Sequence, residues 1–153
     1  MVEPGFGLIA VSLINIIFGG VLFLRTQLED LNPSNRYLSA FFAIVGIYGL
    51  TFYSIWYSNE TWPVVFLFGH AAPLYYLAGP LAWFYVRGTI RDHHRLSRMD
   101  LLHFLPFLIH LVNLTPFYMS SIEAKFEIAE QILANPTIVI NLDVSLIYPT
   151  YLN

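Results

Sequence analysis

Residues 61–86 read TWPVVFLFGHAAPLYYLAGPLAWFYV, and these 26 residues contain no Asp, Glu, Lys or Arg. A helix rises about 1.5 Å per residue, so about 20 apolar residues cross a hydrocarbon core of roughly 30 Å. Three further stretches of 19 to 21 residues are also free of charge: residues 6–24, 37–57 and 101–121. The pattern predicts an all-α integral membrane protein with four transmembrane helices.

Composition narrows the class of protein further. Of the 153 residues, 57% are hydrophobic and 11% charged, whereas about a quarter of a soluble domain is charged. The net charge of −3 and the lack of a long basic stripe argue against nucleic acid contact by these residues. With no cysteine, phosphate loop, nucleophile elbow or carboxylate pair, we predict neither an enzyme nor a cofactor or metal site.

The basic residues predict an orientation. Lys and Arg number 0, 2, 0, 4 and 1 in the successive segments before, between and after the four stretches. The positive-inside rule then places the N-terminus outside and the loop bearing four arginines in the cytoplasm. If the third helix continues past the membrane, those arginines form one stripe that contacts lipid headgroups or docks a cytoplasmic domain: Arg87, Arg91, Arg95 and Arg98.

The chain beyond the fourth stretch contains two more features. Ser120 and Glu123 fit an S-x-x-E capping box, and apolar residues then recur at helical spacing. We therefore expect an amphipathic extracytoplasmic helix over residues 122–134, which lies on the outer surface of the membrane or caps the helix bundle. Residues 137–153 are mostly apolar again, and we interpret them as the start of a fifth transmembrane helix that is cut short.

Three histidines fall within the predicted spans: His70, His103 and His110. An intramembrane histidine could relay protons, bind metal or respond to pH, so these are weak candidates for a sensing site. No His-x-x-x-His or Glu-x-x-His pair occurs. The spacing therefore favours hydrogen-bonded packing between helices over catalysis or metal binding.

Pro73 and Pro80 lie in the middle of the third stretch. A proline inside a span frees a backbone carbonyl, which a neighbouring helix must satisfy. Small side chains surround Pro80 and would permit close helix packing. We predict a kinked, tightly packed helix or, alternatively, a hinge that transmits a signal, with the small residues Ala78, Gly79 and Ala82 at the contact.

Two segments, residues 73–87 (PLYYLAGPLAWFYVR) and 98–107 (RMDLLHFLPF), resemble the membrane region of bacterial transcription regulators with an AraC-type DNA-binding domain. The resemblance implies a sensory or anchoring domain in the bacterial inner membrane. Its expected partners are the lipid bilayer and a cytoplasmic helix-turn-helix domain of the same chain beyond residue 153. A second copy of the chain, in a homodimer, is a further candidate partner. The signal ligand is not identified by the sequence.

Two other classes of protein remain as alternatives. A stand-alone small multi-pass membrane protein, such as a transporter or channel subunit, would need polar groups along a path, for which His70, Asn15 and Asn113 are candidates. A membrane enzyme would use the histidines.

Overall fold

The computed structural model describes residues 4–29, 32–91 and 95–140, and within these ranges every regular element is a helix. Seven α-helices and two short 3₁₀ helices follow one another in this described part of the chain. They are α1 (Pro4–Leu28), α2 (Asn35–Trp56), α3 (Thr61–Tyr75), α4 (Ala78–Arg91), a first 3₁₀ helix (Met99–Phe104), α5 (Leu105–Asn113), α6 (Thr115–Met119), α7 (Ile122–Ala134) and a second 3₁₀ helix (Pro136–Ile140).

Helices α1 and α2 are long and apolar enough to cross a membrane. They cover the first two predicted spans, although α2 ends at Trp56, one residue before the predicted end. Only 11% of the α1 span is buried within the protein. Its remaining apolar surface is the kind of surface that lipid covers in a membrane protein.

The other two predicted spans are not continuous helices. Residues 61–86 are divided between α3 and α4, whose axes differ by 46°. The two helices form one membrane span only if that span is broken at the bend. Residues 101–121 are divided among the first 3₁₀ helix, α5 and α6. Proline explains the divisions within residues 101–121, because Pro106 and Pro116 each occupy the first turn of a new helix. Four transmembrane helices therefore stay a prediction.

Helices α1 and α2 form an antiparallel hairpin with very close backbones. A methyl group added at Gly49 would lie 2.1 Å from the Ser12 hydroxyl oxygen, and one at Gly46 would lie 2.6 Å from the Ser12 carbonyl oxygen. Small residues let helix backbones approach in this way, which increases dispersion contacts along the seam. The hairpin is thus fixed by glycines on α2 that no larger residue could replace without movement.

Helix α7 packs against α3. The buried contact consists of Val64 and Val65 from α3 with Ala129 and Ile132 from α7. The helix spans Ile122–Ala134, and its N-cap is Ser121, whose hydroxyl accepts from the Ala124 amide at 3.3 Å.

The predicted capping box was wrong by one residue, because the Ser120 hydroxyl donates to the Phe117 carbonyl and ends α6 instead. The predicted fifth span falls largely on residues 141–153, which lie outside the described residues.

Candidate functional site

The bend within α3 is the first candidate site. Phe68 and Gly69, which lie five and four residues before Pro73, have non-helical backbone angles. The position follows from proline chemistry: Pro73 has no N–H to donate to the carbonyl of Gly69, and its ring crowds that carbonyl. The freed oxygen is satisfied by another helix, since the Tyr118 hydroxyl of α6 donates to Gly69 O at 3.1 Å.

A second carbonyl at the bend is satisfied by His70. In a regular helix the Gly69 amide would donate to Val65 O, but Gly69 has left helical geometry. His70 Nδ1 lies 3.1 Å from that oxygen. Because a carbonyl oxygen can only accept, Nδ1 carries the proton in this contact. His70 therefore has a packing role at the bend, of the kind that its spacing predicts.

The junction between α6 and α7 packs directly onto the bend. A side-chain carbon at Gly69 would lie 2.3 Å from the Phe117 ring, so only glycine fits beneath that ring. Lys125 Nζ of α7 lies 5.5 Å from the Phe117 ring centroid and donates to the Tyr118 carbonyl at 3.2 Å. The bend is thus held by contacts that no residue of α3 supplies by itself.

A second break separates α3 from α4. Tyr76 and Leu77 form a turn, and Pro80 then lies in the first turn of α4, where a missing N–H costs no hydrogen bond. Pro80 therefore begins a helix and does not kink one. No described atom lies within 4 Å of a methyl group placed at Gly79, so the close packing predicted for Ala78, Gly79 and Ala82 does not occur at Gly79.

The second candidate site is an ion pair that closes the loop after α4. Arg87 Nη1 donates to Asp100 Oδ1, and the two side chains are 12% and 8% exposed. The other carboxylate oxygen accepts from the Ser97 amide at 2.6 Å. Arg87 and these hydrogen bonds hold the pKa of the Asp100 carboxyl well below its usual value.

Aromatic contacts extend this ion pair into the helices. The Arg87 guanidinium lies 5.1 Å from the centroid of the Phe84 ring, which is fully buried. That ring also contacts Tyr37, His103 and Phe104, at centroid distances of 5.5 to 5.8 Å. A guanidinium over an aromatic face gains electrostatic attraction in addition to its ion pair. The end of α4 and the start of the next helical segment are therefore one packed unit.

The remaining arginines of the loop do not form the predicted stripe. Helix α4 ends at Arg91, whereas Arg95 and Arg98 lie outside any helix, before the first 3₁₀ helix. Arg91, Arg95 and Arg98 are exposed, while Arg87 is turned inward to Asp100. The stripe would have required a continuous helix through residue 98, and the Ser97–Asp100 turn prevents one.

The histidines occupy separate environments. His103 is exposed, and His110 is buried with its ring 4.9 Å from that of Tyr76. Among the residues that the structure describes, no three His, Asp or Glu side chains are placed to hold a metal ion. His93 and His94 lie outside the described residues.

Tyr118 and Asp100 make contacts in the two candidate sites that the sequence did not predict. Ser97 and Asp100 fit an S-x-x-D capping pattern, and the Asp100 amide lies 3.3 Å from the Ser97 hydroxyl. That pattern could have indicated a turn and a fixed carboxylate at this position. Nothing in the sequence singles out Tyr118 from the other tyrosines.

Comparisons with protein-family models, curated proteins and solved structures found no match for this chain.

Proposed function

We propose that this chain is the membrane-embedded sensory and anchoring domain of an AraC-like transcription regulator in a bacterial inner membrane. Four spans with the N-terminus outside would place the arginine-bearing loop in the cytoplasm. The sequence-specific DNA-binding domain would belong to residues beyond this chain and would read adjacent major grooves with helix-turn-helix units.

The observation that carries the proposal is the packing of the two segments on which the resemblance rests. Residues 73–87 supply Phe84 and Arg87, and residues 98–107 supply Asp100, His103 and Phe104. These side chains contact one another through the ion pair and the ring contacts at Phe84. The resemblance thus concerns one structural unit, which supports a shared architecture more strongly than two unconnected matches would.

An anchoring role is supported by the outer surface of α1. Apolar side chains along its length are about half exposed or more, which would be costly in water over so large a patch. In a bilayer the same surface contacts lipid at no such cost. The exposed set includes Phe6, Ile14, Ile17, Phe18, Leu24 and Leu28.

A sensory role is supported by the bend in α3. The bend depends on contacts from α6 and α7, and a change in those contacts would alter the angle between the two parts of α3. A signal can shift such an equilibrium only if it binds one arrangement more tightly than the other. The packed unit around Arg87 would then carry the movement of α4 to the cytoplasmic side.

The test is to tag the C-terminus of the full-length gene product in its own cells, separate the membranes, and sequence the DNA crosslinked to the tag. We expect the tag in the inner membrane, with recovery of a small set of promoter sequences. An untagged strain is the control. Membrane localisation with uniform DNA recovery would contradict the proposal and favour the stand-alone membrane protein.

A further inference from the structure

A partly open cavity of about 290 Å³ lies between α2, α3 and the second 3₁₀ helix. Aromatic and aliphatic side chains form most of its wall, and none of the described residues that line it is charged. Pockets for small molecules are concave and mostly apolar, with a few placed polar groups. Thr51 and Tyr75 both line the cavity, and their hydroxyl groups form a polar contact of this kind.

The polar contact offers a ligand acceptors only. The Tyr75 hydroxyl donates to Thr51 Oγ1 at 2.7 Å, and the Thr51 hydroxyl donates to the Ile47 carbonyl at 2.9 Å. Both hydroxyl protons are therefore used within the protein, while lone pairs remain on both oxygens. A ligand that complements this pair must donate a hydrogen bond.

Size and charge restrict the ligand further. A cavity of about 150 Å³ is enough to bind benzene, so the observed volume suits a molecule of about two rings. A charged ligand would lose its hydration and meet no opposite charge on the described lining residues, which is unfavourable. A neutral molecule avoids that cost.

The cavity extends across the bend in α3. Leu67 lines it before the bend, Phe68 lines it at the bend, and Ala72 and Tyr75 line it after the bend. An occupant therefore contacts both parts of the helix, and its contacts depend on the angle between them. Differential binding of this kind is what a signal needs in order to shift a conformational equilibrium.

We propose that this cavity binds a neutral aromatic molecule of about two rings that donates one hydrogen bond, and that occupancy sets the bend of α3. The biological role of this binding, as a signal, rests on the proposed sensory function. Binding itself is measurable without DNA, so its failure and that of the proposed function are distinguishable. An acyl chain of a lipid is the competing occupant, and it has no hydrogen bond to donate.

Trp56 lines the cavity and provides the measurement. The probe is 6-bromo-2-naphthol, whose bromine quenches an indole at contact distance. The full chain is purified in detergent micelles. It has three tryptophans, and Trp62→Phe and Trp83→Phe leave Trp56 as the single emitting indole. The matched control keeps Trp83, which is outside the cavity lining, and carries Trp56→Phe and Trp62→Phe.

We expect saturable quenching of Trp56 and only a linear, non-saturating loss of Trp83 emission as the probe partitions into the micelle. Ala72→Leu fills the cavity and should weaken binding about tenfold or more. Removing the probe's hydroxyl, as in 2-bromonaphthalene, should weaken binding about threefold to tenfold. In a Thr51→Val, Tyr75→Phe double variant, the two probes should bind alike.

Three results would overturn the proposal. Equal, non-saturating quenching of both tryptophans would mean that the probe only dissolves in detergent. Saturable binding that Ala72→Leu leaves unchanged would place the ligand elsewhere. Equal affinity for the two probes in the chain with Thr51 and Tyr75 intact would mean that the cavity accepts apolar chains without hydrogen bonding, as a lipid tail would. The Thr51 and Tyr75 changes keep the cavity shape, so they test the site even if Ala72→Leu fails to fold.

Discussion

The hydroxyl of Tyr118 donates a hydrogen bond of 3.1 Å to the carbonyl oxygen of Gly69, two residues that are 49 positions apart in the chain. The oxygen is available because Pro73, four residues later, has no amide hydrogen to offer it. A side chain from one broken helix thus compensates for the break in another. Bends of this kind are tolerated inside a membrane only when the freed backbone groups find partners.

Tyr118→Phe should therefore lower the free energy of unfolding by about 1 kcal/mol, because the Gly69 carbonyl loses its donor. The measurement is a titration with SDS in mixed micelles, followed by circular dichroism. Tyr57→Phe, at an exposed tyrosine outside the bend, is the control and should have little effect.

Pro73→Ala should reduce the effect of Tyr118→Phe. Alanine restores an amide hydrogen at position 73, which can donate to the Gly69 carbonyl in a regular helix. In the Pro73→Ala background, Tyr118→Phe should therefore cost less than it does in the unaltered chain. Equal costs in both backgrounds would show that the two residues act independently, contrary to the relationship seen in the structure.

The position of this bend illustrates what the sequence could and could not predict. The sequence identifies Pro73 as the cause of a kink, because proline chemistry is local. The break lies at Gly69 and depends on space beneath Phe117 and a donor from Tyr118. Those contacts come from residues distant in the chain, and no spacing rule reports them.

The same distinction holds elsewhere in the chain. Helices α1 and α2 follow from the charge-free stretches, since length and apolarity are properties of the sequence alone. The inward orientation of Arg87 does not follow from the sequence, because it requires the loop to bring Asp100 next to the Arg87 guanidinium. Helical spacing places Arg87 on the same surface as Arg91, because spacing contains no information about the partner of each charge.

Gly49→Ala should destabilise the α1–α2 hairpin by about 1 to 3 kcal/mol, because the added methyl group overlaps the Ser12 hydroxyl. Gly20→Ala is the matched control, since a methyl group there meets no described atom within 4 Å. It should be neutral or slightly stabilising, as alanine favours a helix over glycine. The measurement is again unfolding by SDS.

Ser12→Ala should partly rescue Gly49→Ala. The change deletes the oxygen that lies 2.1 Å from the added methyl group and leaves the Ser12 Cβ at 3.3 Å, a tight but adjustable contact. The double variant should therefore be more stable than the sum of the two single changes. Simple additivity would mean that α1 and α2 are not packed as the structure shows.

The ion pair between Arg87 and Asp100 predicts a particular dependence on pH. Because the pKa of Asp100 is lowered in the folded protein, the pair stabilises the fold fully above the ordinary aspartate pKa of about 3.9. That stability declines as the pH falls below the ordinary pKa, and it is gone once the pH is below the lower, folded-state pKa. Asp100→Asn should therefore lower the melting temperature at pH 7, and the difference from the unaltered chain should shrink at strongly acidic pH.

The measurement for this pair is thermal unfolding of both proteins between pH 7 and pH 2 in a detergent that does not titrate. Glu127→Gln, which removes an exposed carboxylate of α7, controls for the loss of one negative charge. A difference that stays constant down to pH 2 would show that the charge of Asp100 does not contribute, and that its contacts act through shape alone.

Alkaline phosphatase fusions distinguish four spans from two, because the enzyme forms its disulfides and becomes active only outside the cytoplasm. With four spans and the N-terminus outside, fusions after Ser58 and Ser121 should be active and a fusion after His94 inactive. If only α1 and α2 cross the membrane, all three fusions would be active, since α3 to α6 would then lie on the outer side. A fluorescent protein that matures only in the cytoplasm should give the opposite pattern at each position. Inactive phosphatase after Ser58 would reverse the orientation that the arginines predict.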